Sequence, residues 1–530
     1  MTLYEAVDVY RHSTRPALYF RSRTVRHDQF LRRVDHMASV LYDLGVRKDS
    51  VVSLLSPNLP EAIVSLYACN KIGAVVATLH PLLPPLELKE ALEENHSAFL
   101  LLIDARYPAY EDVLKEVKVK TYFLSALKDL RPIERPFFRM LYRGKRKDIP
   151  KERYLYSYRS STSFPVNRDD HKPSLYLRSG GTTGKSKTVV LNDAAVNYVT
   201  SKSAFILGRN PSGKSMIGLL PLFHGFGLTM GVHAPLSNDA ASCLMIGYDG
   251  DEICRKIAQG KLNILITIPY MTEKLLKNRH FRGRKLRNLI VTYIGADKPE
   301  EKLFDAFDRR MEEAKSPCRL REGYGMTETI SVNFVNTDRN HRRGSVGKPL
   351  PGTSVRIVSL EDNSREVPVG QDGQIVVSSP SLFLGYLGVE KEKLPVKTDQ
   401  SGARWLYTGD IGHLDEGGYL YFRSRKTDVE KIAGFYVYPS AIEEEAGKVP
   451  GVKDAAAVYV PKAEHPYFVL YVEPENPETD PKKLEEALRQ ALSLHLIRYS
   501  VPEKIVFQAL PRTSIGKIDR KKLVQESRAS

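Results

Sequence analysis

The run Tyr176-Leu177-Arg178-Ser179-Gly180-Gly181-Thr182-Thr183-Gly184-Lys185-Ser186-Lys187 packs glycines, hydroxyls and lysines into one short loop. Glycines let a backbone approach a ligand closely and turn several N–H groups inward as a nest. Hydroxyls donate to phosphoryl oxygens, and lysine adds a mobile positive charge. A nucleoside triphosphate is the ligand such a loop suits. The run nearly spells a Walker A loop, yet Ser179 stands where the first glycine of that pattern would fall. A Walker loop must also open a helix whose N-terminus faces the phosphates. Here the β-branched run Thr188-Val189-Val190-Leu191 comes next, and only then Asn192-Asp193, a helix-capping pair. The pattern predicts strand, loop, strand, with a helix starting afterwards.

Five further segments carry residues that chemistry on a nucleotide would use. They are Pro221-Leu222-Phe223-His224-Gly225-Phe226-Gly227, Tyr324-Gly325-Met326-Thr327-Glu328, Tyr407-Thr408-Gly409-Asp410, Ser424-Arg425-Lys426-Thr427-Asp428 continuing to Pro439, and Leu510-Pro511-Arg512-Thr513-Ser514-Ile515-Gly516-Lys517-Ile518-Asp519-Arg520. In this order, with the loop, they resemble the acyl-CoA synthetase and adenylate-forming enzyme family over essentially the whole chain. The resemblance implies an AMP-forming acid–thiol ligase. A carboxylate attacks the α-phosphorus of ATP to give acyl-AMP and pyrophosphate, and the thiol of coenzyme A then takes the acyl group.

The same resemblance distributes roles among the residues. Ser179, Gly180, Gly181, Thr182, Thr183, Gly184 and Lys187 match the clamp on the β and γ phosphates. Tyr324 and Gly325 match the segment whose aromatic stacks on adenine, and Gly295-Ala296 the backbone that lines it. Thr327 matches an α-phosphate donor and Glu328 the Mg²⁺ ligand. Asp410 matches the carboxylate that accepts both ribose hydroxyls, and Arg425 the cation beside ribose and phosphate. Lys517 matches the catalytic lysine of adenylation, acting on carboxylate and α-phosphate. His224 resembles the residue that gates the acyl pocket, although a core histidine is an equally good reading of its apolar surroundings. Gly434 resembles the glycine that lines the pantetheine tunnel when a small domain swings for thioester formation. Departures from the pattern, Thr427 at the hinge and Glu430 where an apolar residue is common, bear on that domain rotation.

The rest of the chain must position these groups. Apolar runs such as Val51-Val52-Ser53-Leu54-Leu55, Phe99 to Ile103 and Ile264 to Ile268 alternate with amphipathic helical stretches up to about Ser345. This alternation predicts layered α/β subdomains with largely parallel sheets. From Ser345 to Phe422, short runs with Gly, Pro and Asp turns predict an antiparallel module, including a hairpin over Gly412 to Phe422. Residues 424–530 form a further small, mobile α+β domain with strands at Ala455 to Val460 and Tyr467 to Val472, so the expected domains are 1–423 and 424–530.

Composition narrows the partners. The 530 residues carry 79 Lys plus Arg against 63 Asp plus Glu, a balance that favours acidic ligands such as nucleotides, coenzyme A or lipid headgroups. No recognition motif accompanies the charge, so nucleic acid is not expected. Five basic residues between Arg139 and Lys147, following Phe137-Phe138, suit either peripheral contact with a membrane or a solvated surface segment. No apolar run approaches the roughly 18 residues of a membrane span, and a cytoplasmic protein is expected. Cys69, Cys243, Cys254 and Cys318 are far apart and predict buried thiols without zinc or disulfides. A fatty acid is the expected substrate. The alternative is an aryl-acid or other carboxylate adenylating enzyme that loads a carrier protein.

Overall fold

The computed structural model describes the chain apart from residues 126, 131, 133, 135–148, 180–186, 433–434, 462–466, 477, 497, 513–517 and 530. The described residues divide into two compact units, one of Met1–Ser354 with Ser378–Arg404, the other of Val355–Val377 with Trp405–Ser530.

The first unit is built on two large sheets. In the nine-stranded sheet the order is Lys348–Pro349, Val332–Val335, Leu320–Gly325, Val291–Ile294, Ile264–Thr267, Ser215–Gly218, Ala241–Leu244, Pro16–Phe20 and Arg23–Arg26. The strands from Leu320–Gly325 to Pro16–Phe20 run parallel, and antiparallel pairs close both edges. Parallel neighbours end on the same side of a sheet, which is where α/β folds gather their ligand-binding loops. The segments Gly295-Ala296, Tyr324 to Glu328 and Pro221 to Gly227 all leave that side.

The seven-stranded sheet has the order Gly385–Tyr386, Thr188–Asn192, Pro173–Arg178, Val75–Leu79, Val51–Leu55, Phe99–Ile103 and Lys120–Leu124. Val75–Leu79 and Phe99–Ile103 are buried at every position, the mark of a parallel sheet covered on both faces. Thr188–Asn192 folds back antiparallel on Pro173–Arg178, and helix Asp193–Ser201 starts directly afterwards. Its N-cap is Asn192, whose side chain accepts from the Ala195 amide at 2.9 Å. The two strands on either side of residues 180–186 and the capped helix therefore follow in the expected order.

The second unit carries the antiparallel strands Ser354–Val358, Gly373–Ser378, Arg404–Leu414 and Leu420–Arg425. The expected hairpin is present: Leu414 pairs with Leu420, and Gly418 takes φ +73° at the turn. The expected antiparallel module is nevertheless divided. Lys348–Pro349 belongs to the nine-stranded sheet and Gly385–Tyr386 to the seven-stranded one. Strands of two residues are too short for an alternating pattern to reveal which sheet they join.

Farther along, Val452–Val460, Tyr467–Pro474 and Lys504–Phe507 form a three-stranded sheet. One face packs Ala455, Ala457, Phe468, Leu470 and Val472 against Ile442, Ala446, Leu484, Leu488 and Leu492 of helices Pro439–Gly447 and Pro481–His495. The opposite face packs Ala456, Val458, Val469 and Tyr471 against Leu510 and Leu523. Alternate residues of one strand thus serve two cores, as the period of two requires.

Candidate active site

The root of the glycine-rich loop is a tight hairpin base. The Ser179 amide donates to the Lys187 carbonyl at 2.8 Å, the Lys187 amide donates to Ser179 Oγ at 3.1 Å, and Arg178 pairs with Thr188 across the strands. Gly180, Gly181, Thr182, Thr183 and Gly184 lie outside the described residues. After Lys187 the chain enters strand Thr188–Asn192 and not a helix, so the described flanks differ from those of a Walker loop.

Tyr324 and Gly325 end a strand that pairs antiparallel with Val332–Val335, with a register shift between them. Thr327–Thr329 then forms a single 3₁₀ turn, held where the Thr329 amide donates to the Met326 carbonyl at 3.1 Å. Ile330, immediately after, takes φ +60°. A β-branched residue in that region is strained and persists only where its surroundings over-determine it. Two glycines show the constraint. A Cβ at Gly325 would sit 1.7 Å from the Ser331 carbonyl oxygen, and one at Gly225 would sit 1.7 Å from the Ile330 carbonyl oxygen. The Pro221–Gly227 segment is therefore pressed backbone against backbone on Ile330, just past Glu328, while Gly325 is pressed on Ser331.

Gly295 joins the same cluster. A Cβ there would lie 3.3 Å from the Gly323 carbonyl and 3.6 Å from the Phe226 ring. Ala296 follows with φ +69°, a left-handed residue just past the end of strand Val291–Ile294. Tyr324 is half-buried, its ring 5.8 Å from that of Phe334. Two residues earlier, Glu322 is buried, and burial pushes its carboxyl up to about 7 against the opposing pull of Lys298. His224 is half-buried beside Phe223, ring centroids 4.7 Å apart, and Phe223 stacks in turn near His80 at 4.5 Å. Burial, and secondarily Arg106, lower the His80 pKa. The chain then winds through Gly227–His233 as a π-helix, a rare local form associated with functional sites.

Glu328 is buried, and Tyr386 donates a hydrogen bond to its Oε1 at 2.8 Å. The Phe383 amide donates to the Glu328 carbonyl at 2.8 Å, and the Lys187 ammonium sits 4.7 Å over the Tyr386 ring. Among the described residues Glu328 forms no ion pair. A buried carboxylate facing a neutral hydroxyl is electrostatically suited to a cation. An oxygen ligand also suits Mg²⁺, which takes one or two carboxylates and completes its shell with phosphates and water. Among the described residues no group of three or more His, Cys, Asp or Glu is placed to hold a metal ion. Glu328 would hold the ion, which would offset charge on the phosphate oxygens.

In the second unit, Asp410 is buried and directly opposite Arg425 on the neighbouring strand, with Arg425 Nε 3.0 Å from its Oδ1. The Asp410 amide donates to Thr408 Oγ1 at 3.0 Å, and that hydroxyl donates to the Ile375 carbonyl at 2.7 Å. The Thr-Gly-Asp sequence thus becomes a fixed corner with Gly409 at φ +73°. At the expected hinge, Lys426 is tied to Asn363 at 3.0 Å and Gln374 at 3.3 Å. Glu430–Ile432 pairs antiparallel with Phe435–Val437, and Gly434 is outside the described residues. Lys517 also lies outside them, but its flanks are described: Arg512 bridges Ile518, and the Asp519 amide donates to the Pro511 carbonyl at 2.7 Å.

The structure brings together the segments containing His224, Gly295, Tyr324, Glu328 and Lys187 within one unit, and Asp410 with Arg425 within the other. Tyr386 was not among the expected residues. Its partner is 58 positions away in sequence, and a Leu-Gly-Tyr run carries no local signal of a role. The basic segment Arg139 to Lys147 lies outside the described residues. All four cysteines are free and buried as expected, and burial pushes the thiols of Cys69, Cys243 and Cys318 up to about 12. No helix of the described residues is long and apolar enough to cross a membrane.

Parallel sheets whose loops converge on one side, joined to an antiparallel module and a small α+β sheet, define the adenylate-forming fold. Residues 6–387 match the family of AMP-binding enzymes, and residues 441–517 the AMP-binding enzyme C-terminal domain. The chain belongs to this family and is an enzyme of the acyl-CoA synthetase type. It is 27% identical to a long-chain-fatty-acid–CoA ligase of Salmonella typhimurium, over 98% of this chain and 93% of that protein. It is equally 27% identical to an indoleacetate–CoA ligase of Aromatoleum aromaticum, over 98% and 96%. Among solved structures it resembles ATP-bound MatB from Rhodopseudomonas palustris, with a TM-score of 0.84, 22% identity and 99% of each chain covered. It likewise resembles the O-succinylbenzoate coenzyme A synthetase of Bacillus subtilis in complex with ATP and magnesium ion, at 0.79, 22% identity, and 98% and 99% coverage.

Proposed function

We propose that the protein activates a fatty acid with ATP to acyl-AMP and transfers the acyl group to coenzyme A. The observation that carries this reading is the convergence of the phosphate-loop root, through Lys187 and Tyr386, on the buried Glu328 carboxylate. A cation-binding carboxylate beside a polyphosphate-binding loop is what activation by ATP requires.

In this reading Tyr324, Gly325, Gly295 and Ala296 receive adenine, Thr327 donates to the α-phosphate, and the loop from Ser179 to Lys187 holds the β and γ phosphates. Asp410 and Arg425 take the ribose. Glu328 would hold a Mg²⁺ ion, which would supply charge neutralisation to the phosphates. Lys517, carried by a mobile domain of residues 424–530, stabilises the oxyanion that develops as the carboxylate attacks phosphorus. The same domain presents Gly434 to the pantetheine arm for thioester formation. His224 borders the acyl group. The free, buried cysteines fit a reducing, cytoplasmic setting.

The test is pyrophosphate release across a panel of acids, with and without coenzyme A. Long-chain acids are expected to give the highest kcat/KM, and coenzyme A to convert a slow release into turnover. The panel should include arylacetic acids, because a relative of the same identity is an indoleacetate–CoA ligase. Preference for an aryl acid would replace the fatty acid and leave the reaction intact. Release of ADP in place of AMP would overturn the reaction itself.

A further inference from the structure

We propose that Tyr386 is a positioning residue for the nucleotide-bound metal, and that its hydroxyl sets the direction in which Glu328 presents its carboxylate. The proposal rests on the reading of Glu328 as the cation ligand. Glutamate has three side-chain torsions and loses substantial rotamer entropy when a ligand fixes it. A carboxylate already held by a hydrogen bond meets the metal pre-aimed, and partners of this kind govern metal affinity.

The geometry makes Tyr386 a rigid holder. It lies on the two-residue strand Gly385–Tyr386, paired with Val190 and Val189. Amides on either side lock that strand to the sheet, Leu384 donating to the Val190 carbonyl at 2.8 Å and Leu387 to the Thr188 carbonyl at 2.9 Å. The Phe383 ring packs edge-on against the Tyr386 ring at 4.9 Å. Through the Phe383 amide and the Tyr386 hydroxyl, one short segment holds both the backbone and the side chain of Glu328. The choice of donor matters chemically. A lysine or arginine in this place would neutralise Glu328 and compete with the metal, whereas a phenol orients the carboxylate and leaves its charge available.

The ring has a second task. The Lys187 ammonium rests on its face at 4.7 Å, and Lys187 is the residue that closes the loop root against Ser179. One aromatic side chain thereby fixes the spacing between the cation of the phosphate loop and the anion that takes the metal.

Tyr386→Phe separates these tasks, since it keeps the ring and removes the hydroxyl. Mn²⁺ binding, read by electron paramagnetic resonance in the presence of a non-hydrolysable ATP analogue, is expected to weaken about 10- to 100-fold. The Mg²⁺ concentration for half-maximal acyl-AMP formation should rise by the same factor, with turnover recovering in excess Mg²⁺. Binding of the ATP analogue in chelator should match the parent, and a matching circular dichroism melt would establish that the variant folds. Glu328→Gln should lose Mn²⁺ binding more completely than Tyr386→Phe. Unchanged Mn²⁺ affinity and Mg²⁺ dependence in Tyr386→Phe would overturn the proposal. So would tighter binding, because the hydroxyl would then be blocking the site. A parent protein that binds the ATP analogue with no help from Mn²⁺ would instead overturn the role given to Glu328.

Discussion

The loop of residues 179–187 leaves one strand of a seven-stranded sheet and returns in the next, between Pro173–Arg178 and Thr188–Asn192. Leu177, Val189 and Leu191 at its root are fully buried. Residues 513–517 join Arg512 to Ile518, which pair across a single bridge, and ion pairs add to the apolar packing of Leu510 and Ile518 on either side. Arg512 contacts Asp454 at 2.7 Å and Glu473 at 3.5 Å, and Arg520 contacts Glu443 at 2.8 Å, all on partly exposed side chains. Apolar burial and an interior hydrogen-bond ladder are not weakened by electrostatic screening, whereas exposed ion pairs are worth about 0–1 kcal/mol and are screened over a Debye length of about 10 Å at 0.1 M. The first loop has a fixed root and the second an adjustable one. On the proposed roles, a phosphate clamp must keep its place throughout the reaction, and a lysine that acts in only one of two half-reactions would gain from a root that yields.

The largest expected effect tests whether the second loop serves one half-reaction alone. Lys517→Ala should lower acyl-AMP formation by about 100- to 1,000-fold, the scale of losing one group that stabilises a developing oxyanion. Transfer to coenzyme A from supplied acyl-AMP should be nearly unchanged. Equal loss in pyrophosphate-release and thioester assays would erase the contrast between the loops.

Next in size is Gly225→Ala, which drives a methyl group into the Ile330 carbonyl. Overpacking of this kind costs about 1–3 kcal/mol, so the thermal midpoint should fall and ATP binding, followed by calorimetry, should weaken with it. A variant that melts and binds like the parent would mean that the two pressed backbones separate freely.

A third expectation concerns pH, to which the region around Tyr324 is tuned. Burial raises the Glu322 carboxyl from 4.5 to about 7, so the folded protein holds that proton more tightly than the unfolded chain. The stability this contributes is full below pH 4.5 and is lost as pH climbs through about 7. Glu322→Gln should flatten that part of the stability profile, measured as urea midpoints between pH 5 and 8. An unaltered slope would assign it to other buried acids, such as Glu61, also pushed up to about 7 by burial.

Smallest is the effect of salt on the second root. Arg512→Ala should lower the adenylation rate a few-fold at low ionic strength and leave a difference that shrinks as salt rises. ATP binding, which on the proposed roles depends on the first loop, should not follow this pattern.

Sequence and structure agree where the signal is local. The β-branched run after Lys187 and the Asn192 cap specify a hairpin followed by a helix, because strand preference and capping act over a few residues. The buried runs Val51–Leu55 and Phe99–Ile103 specify central parallel strands for the same reason. What was not legible depends on contacts between distant segments. Nothing in Leu384-Gly385-Tyr386 tells that its tyrosine reaches Glu328. Similarly, Gly225 looks like a loop glycine until the Ile330 carbonyl is seen against it. The assignment of Val355–Val377 to the second unit, ahead of Ser378–Arg404 in the first, is another product of pairing across long sequence separations.

Ile330 has a consequence of its own. A branched side chain at φ +60° stays there only while its surroundings hold it. The turn carrying Thr327 and Glu328 should therefore come and go as a unit on warming, so that enzyme activity disappears abruptly, ahead of the bulk melting of the sheets beneath it.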